Sequence, residues 1–192
     1  MSMTTGSLPY WRRKLLAMAW LVIGRKEQAL HVFSDMLRHW PSDAYALASR
    51  AHLLAQLGQR EAAIADAQAL VAAHPRRSAA HWFNLAFLLE EGGRLDEAEQ
   101  AFKSAVALDP KLDRAWYGLG LVLIRLQRFD DAVKALKRNT DLQPMSPYGW
   151  YQLARVHVNR HETEEARRII GHLKGFEPKI AAQLERETGL VA

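Results

Sequence analysis

Between residues 79 and 112 the apolar side chains fall into two runs with helical spacing. Trp82, Leu85, Ala86 and Leu89 recur at intervals of three, one and three, which places them on one face of a helix. Glu90-Glu91-Gly92-Gly93-Arg94 breaks that pattern and offers glycine for a helix C-cap. A second apolar face runs through Leu95, Ala98, Phe102, Ala105 and Val106. It ends at Leu108-Asp109-Pro110, where the residue before proline is pushed out of helical geometry. Asp96, just past the turn, favours the positive N-terminal end of the second helix. The stretch predicts two amphipathic helices joined by a tight turn.

The same pattern recurs along the chain. Trp82, Trp116 and Trp150 are spaced by 34 residues, as are Pro110, Pro144 and Pro178, and Ala98, Ala132 and Ala166. Leu85, Leu119 and Leu153 follow each Trp by three residues. Two weaker copies precede these, marked by Pro41 and Pro75, by Ala29 and Ala63, and by Gly24 and Gly58. A fixed period of this length is the signature of a repeat architecture. The units run over 10–43, 44–78, 79–112, 113–146 and 147–180, the second with one extra residue around Arg76-Arg77-Ser78. Residues 1–9 are expected to be a disordered N-terminal segment. Residues 181–192 read as a capping helix, with Ile180, Ala181 and Leu184 facing inward and Glu185, Arg186 and Glu187 facing water.

Trp82, Leu85, Ala86, Leu89, Ala98, Phe102, Ala105 and Pro110 resemble the tetratricopeptide repeat family in register. The fourth unit follows with Trp116, Leu119, Gly120, Leu123, Ala132, Leu136 and Pro144, but has Asn139 where a small apolar residue is usual. The fifth departs at His157 and Leu173, and Arg13 and Leu47 stand where the first two units lack the leading Trp. The resemblance implies an all-α fold, a right-handed superhelical solenoid of five helix-turn-helix hairpins closed by the capping helix. It also implies that the first helix of each hairpin lines a concave surface.

One hairpin cannot bury its own apolar face, so neighbouring units must stack. The fourth, seventh, eighth and eleventh positions of each unit carry the core pattern, while the second, fifth, ninth and twelfth vary between units. Constancy on one stripe beside variation on the other predicts packing on the first and recognition on the second. The varying stripe supplies the candidate groove residues: Lys14, Met18, Tyr45, His52, Phe83, Phe87, Arg114, Tyr117, Leu121, Tyr148, Tyr151 and Arg155. Such aromatic and arginine side chains are frequent interface hot spots. The expected partner is a protein or peptide with apolar anchors and some acidic character. Some members of the family clamp acidic chaperone tails with Lys and Asn residues. Here the matching positions hold Lys14, Met18, Ser49, Ala80 and Asn84, and Lys14 alone agrees. An adaptor or scaffold is the expected role, with a chaperone for a secretion or assembly client as the alternative.

The first helix is unusual. Leu15 to Ile23 is apolar around the whole circumference, which predicts burial on more than one side. Trp11, Leu15 and Val22 are the candidate surface for a homodimer or partner. Arg12-Arg13-Lys14 before this run resembles an export signal. The run is nine residues, too short to span a bilayer, and Gly24-Arg25-Lys26-Glu27 offers no small-residue cleavage site. No membrane span is expected, and the cytoplasm is the expected compartment.

Composition adds little to this. The chain has 192 residues, 49% of them hydrophobic, so there is material for a core, and without cysteine there is no disulfide or thiolate zinc site. A net charge of +5 favours acidic partners, and 18 Arg against 8 Lys with abundant Ala points to a GC-rich bacterium. His157 and His161 are four apart but have no third ligand nearby, so no metal is expected. Gly118-Leu119-Gly120 follows no strand and reads as close helix packing. No nucleophile stands in a catalytic setting, so neither an enzyme nor a cofactor is expected. Arg155, Arg160, Arg167, Arg168, Lys174 and Lys179 could offer nucleic acid a basic patch, but solvated charge on a helix face is the commoner explanation, and nucleic acid is not the expected partner.

Overall fold

The apolar periodicity is realised entirely as helix. The computed structural model describes residues 9–192, and within them the chain forms eleven α-helices and no strand. The expectation for the N-terminal segment falls, apart from Pro9, outside the described residues. The chain divides into two compact units, with the boundary between Leu88 and Leu89 inside one helix.

The first unit holds α1 (Tyr10–Val22), α2 (Lys26–His39), α3 (Ala44–Gln56), α4 (Arg60–Ala73) and most of α5 (Ala79–Glu91). α1 packs on α2, α2 on α3, and α3 on α4. Ala17, Ala29, Phe33, Met36, Leu47 and Leu53 form the buried centre, with Tyr10, Trp20 and Trp40 packed at its edge. Asp43 organises the loop before α3: one carboxylate oxygen caps the helix by accepting from Ala46 N at 2.8 Å, and the other accepts from the Tyr10 hydroxyl at 3.0 Å. Arg13, in the place of the repeated Trp, is buried, and its guanidinium donates to Asp35. Arg50 grips buried Asp66 through two bonds of 2.6 Å and reaches Ser34 Oγ at 3.2 Å.

The first helix departs from expectation. Arg13 and Ala17 alone are buried in α1, while Leu15 and Trp11 are each 56% exposed and Val22 86%. Ile23, just past the helix, is likewise exposed. Among the described residues α1 packs chiefly on α2, so its apolar sequence is buried along one side alone.

The second unit holds the end of α5, then α6 (Leu95–Leu108), α7 (Asp113–Arg125), α8 (Phe129–Leu142), α9 (Pro147–Asn159), α10 (Thr163–Lys174) and α11 (Pro178–Thr188). Successive helices pack from α6 to α11, and α9 also touches α7 and α11. Close approach is set by small residues. A Cβ on Gly118 would sit 2.4 Å from the Phe102 ring, and one on Gly120 would sit 2.7 Å from Leu136. Asn139, the polar exception, donates to the Asp113 carbonyl at 3.0 Å and faces Gly149, whose absent side chain leaves it room. Glu99 is buried but receives both Arg128, at 2.7 Å, and Lys103, at 2.6 Å. The last helix begins at Pro178, with proline suited to a first helical turn, and stops at Gly189 in the left-handed region.

The repeated residues have repeated jobs. Ala29, Ala63, Ala98, Ala132 and Ala166 are all fully buried. Trp82, Trp116 and Trp150 are half-buried, and each donates its indole N–H to a proline carbonyl: Pro75 at 2.8 Å, Pro110 at 3.0 Å and Pro144 at 2.8 Å. The additional residue at 76–78 lengthens the first of these connections from six residues to seven without breaking the bond.

Candidate partner-binding surface

The contacts of α9 with both α7 and α11 bring first-position helices of successive repeats side by side. On the face they share, Tyr117 from α7, Tyr148 and Tyr151 from α9, and Ile180 and Gln183 from α11 line an open cleft of about 250 Å³. Tyr148 stands 70% exposed at its rim. The Tyr151 hydroxyl donates to Glu187 at 2.6 Å, and the Gln183 amide donates to the other carboxylate oxygen at 2.7 Å. Tyr151's bond holds the Glu187 carboxyl below its ordinary range, and the same bond pushes the Tyr151 phenol up. The Arg155 guanidinium lies 5.6 Å from the Tyr151 ring centroid and, with Val158, Asn159, Glu187 and Thr188, lines a second depression of about 340 Å³. The surface therefore offers an aromatic slot beside a charged rim.

α11 buries Ala181 and Leu184 and leaves Arg186 and Glu187 exposed, as its apolar spacing predicts. It does more than cap: Ile180 and Gln183 line the slot, the exposed Glu187 carboxylate accepts from Tyr151, and half-buried Glu185 pairs with Lys174 at 2.8 Å. The spacing of Ile180, Gln183 and Glu187, three and then four residues, places them on one face of α11. That was the available signal.

In the first unit, Lys14 and Tyr45 meet: the ammonium sits 4.3 Å from the ring centroid, and Tyr45 packs edge-on against Phe33 at 5.8 Å. Nearby on α1, Met18 is exposed. His52 is exposed on α3, with its Nε2 at 2.7 Å from Gln56 Nε2. On α5, Phe83 is half-buried and Phe87 is 47% exposed. In the second unit Arg114 is exposed and Leu121 half-buried. None of the twelve groove candidates is buried, and two clusters form among them: Lys14 with Tyr45, and Tyr117 with Tyr148, Tyr151 and Arg155.

The polar groups of the last repeats are engaged structurally. Buried His157 meets Glu162 at 2.6 Å, and Arg160 bridges Glu162 at 2.8 Å and Asp130 at 3.0 Å. His161 is a turn residue with φ +62°. Among the described residues no three His, Cys, Asp or Glu side chains converge as a metal site. The basic side chains of the fifth repeat are largely answered by acids, Arg167 by Glu164 and Arg168 by Glu165 besides the pairs of Arg160 and Lys174. No helix among the described residues is long and apolar enough to cross a membrane.

Two tetratricopeptide repeat family models match the chain, one over residues 48–113 and one over 88–151. No curated protein matches the sequence. Among solved structures, the MamA protein is 18% identical, with a TM-score of 0.82 and coverage of 95% of this chain and 96% of the other. YrrB, described as a tetratricopeptide repeat protein with an unusual peptide-binding site, is 16% identical, with a TM-score of 0.79 and 88% of each chain covered. A tetratricopeptide repeat protein from Parabacteroides merdae is 18% identical, with a TM-score of 0.80, and covers 94% of this chain and 73% of its own. Matched models spanning residues 48–151, the repeated Trp–Pro bonds and the fully buried alanines agree: the chain belongs to the tetratricopeptide repeat family.

Proposed function

We propose that the chain is an adaptor that holds an extended or helical segment of a partner protein against its first-position helices, with the Tyr117–Tyr148–Tyr151 slot as principal anchor. Membership of the family makes the chain a protein–protein interaction module. The observation that carries the finer reading is the slot itself, where three tyrosines and Ile180 converge while Tyr148 stays 70% exposed. Exposed aromatic surface of this kind is costly to leave in water and rewarding to cover. An apolar side chain of the partner fills the slot, and an acidic group beside it meets Arg155 and Arg114. Leu121 on the helix of Tyr117, and Lys14, Met18, Tyr45, His52, Phe83 and Phe87 on the earlier first-position helices, provide further contact positions. The peptide-binding site attributed to YrrB supports a peptide ligand by analogy of fold.

A displayed-peptide selection against the whole chain tests this. The expected result is enrichment of peptides with an aromatic or aliphatic anchor next to Asp or Glu. Their affinity should fall at least about thirtyfold in Tyr117→Ala/Tyr148→Ala, with helical circular dichroism unchanged. Undiminished binding by that double variant removes the slot from the site. A partner retained in a lasting complex marks an adaptor, and one released after its own assembly marks a chaperone.

A further inference from the structure

The outer face of α1 carries the largest run of exposed apolar side chains in the described chain. Trp11, Leu15 and Val22 are spaced by four and seven residues on one helical face, and exposed Ile23 continues the face past the helix end. Around them stand cations only. Arg12 and Arg25 are exposed, Lys14 and Lys26 half-exposed, and no Asp or Glu occurs between Tyr10 and Lys26. Of the two acids in the first hairpin, Asp35 is already taken by Arg13 and Arg38, leaving Glu27. Residues 10–39 hold six Lys and Arg against two Asp and Glu, so most of the chain's net charge of +5 resides in this one hairpin. Arg12 also stacks on Trp11, its guanidinium 5.2 Å from the ring centroid.

We infer that α1 is an interfacial helix that docks the chain onto an anionic lipid surface. The face combines what such a helix needs: aliphatic side chains to enter the acyl boundary, a tryptophan suited to the headgroup level, and cations at both ends to meet lipid phosphates. A second copy of the chain fits worse. Apposed α1 faces bring Arg12 and Arg25 against the same cations, whether the helices run parallel or antiparallel, and neither face has an acid to answer them. The area is also short. A helix of 13 residues presents a strip about 20 Å by 10 Å, well below the roughly 800 Å² per partner that a stable complex buries.

The test is flotation of the full chain with vesicles of phosphatidylcholine alone and with 30% phosphatidylserine added, alongside light scattering without lipid. The expected result is binding to the serine-containing vesicles, little binding to phosphatidylcholine, and loss of binding as salt rises. Leu15→Glu/Val22→Glu should abolish it, and since both positions are exposed the fold should be intact by circular dichroism. Arg12→Gln/Arg25→Gln should weaken it by about tenfold or more. Brominated lipid should quench tryptophan emission in the wild type and lose that quenching in Trp11→Phe. Absence of vesicle binding overturns the inference, as does equal binding by Leu15→Glu/Val22→Glu. A dimer that dissolves in Leu15→Glu/Val22→Glu, with no lipid binding, would assign the face to a second copy instead. Capture of an acidic protein through the same residues, again without lipid binding, would assign it to a protein partner.

Discussion

The indole of Trp116 donates its N–H to the carbonyl oxygen of Pro110 at 3.0 Å, tying the first turn of α7 to the loop that leaves α6. The proline ends one hairpin and the tryptophan opens the next, so the bond fixes how the chain passes between repeats. Replacing Trp116 with Phe keeps an aromatic ring and removes the donor. The expected cost is about 1 kcal/mol from the hydrogen bond, with a further loss from the smaller ring, read as a lower urea midpoint at unchanged slope. An unchanged midpoint would mean that water serves the Pro110 carbonyl equally well.

Gly149 and Asn139 should be coupled. A Cβ on Gly149 would lie 2.2 Å from the Asn139 amide oxygen, so Gly149→Ala forces that side chain away from its bond to the Asp113 carbonyl. Alone, Gly149→Ala should destabilise by about 2 kcal/mol, as overpacking does. In an Asn139→Ala background the obstacle is gone, and the same change should cost markedly less. Denaturation of the four proteins in the cycle should give a coupling of about 1 kcal/mol or more. Additive effects would show that the two helices part without strain.

The repeat frame made much of this legible from the sequence. All five alanines that mark the repeat are fully buried, because periodicity reports positions that every unit uses alike. Arg13 and Asn139 could be recognised as departures, yet their compensation could not. Asp35 lies 22 residues from Arg13 and Gly149 ten from Asn139, each on a different helix, and no local pattern links them. The contribution of α11 to the slot is hidden because the fifth unit ends at residue 180, and the sequence beyond it reads as a cap. The exposure of α1 is illegible for a different reason: hydrophobicity states what a side chain prefers, and only the neighbours decide whether it is buried.

The turns between paired helices show a graded strain. Gly24, Gly58 and Gly93 occupy the left-handed region at φ of +76°, +74° and +75°, and in the last two repeats Gln127 and His161 hold the same conformation at +58° and +62°. Only glycine takes it freely. Gln127→Gly and His161→Gly should each stabilise the chain by about 0.5–1 kcal/mol, the relieved strain outweighing the extra freedom of the unfolded glycine. Gly93→Ala should destabilise by a similar amount. Thermal melts of the three variants read this directly, and a fall in melting temperature for Gln127→Gly would show that its side chain contributes more than its backbone loses.

Arg13 and Asp35 set the acid limit of the first unit. The Arg13 guanidinium is buried where other repeats place tryptophan, and its bond to Asp35 holds that carboxyl below the usual carboxylate range, with Arg38 adding to the effect from 2.7 Å. Because the folded-state value lies below the unfolded one, the stabilisation is complete at neutral pH. It begins to fade as pH falls below about 5 and is gone once pH has passed through the folded-state value. Asp35→Asn should therefore be less stable than the wild type at pH 7, by about 2 kcal/mol, since it takes the Asp35 charge away from a buried guanidinium while water still reaches the exposed part of the site. It should also lose less stability than the wild type on acidification, so that the two curves converge towards pH 3. Arg13→Met, an apolar side chain of similar length, removes the buried cation itself and should recover part of the loss when combined with Asp35→Asn. Parallel curves for the wild type and Asp35→Asn across the acid range would show that the pair contributes nothing pH-dependent to the fold.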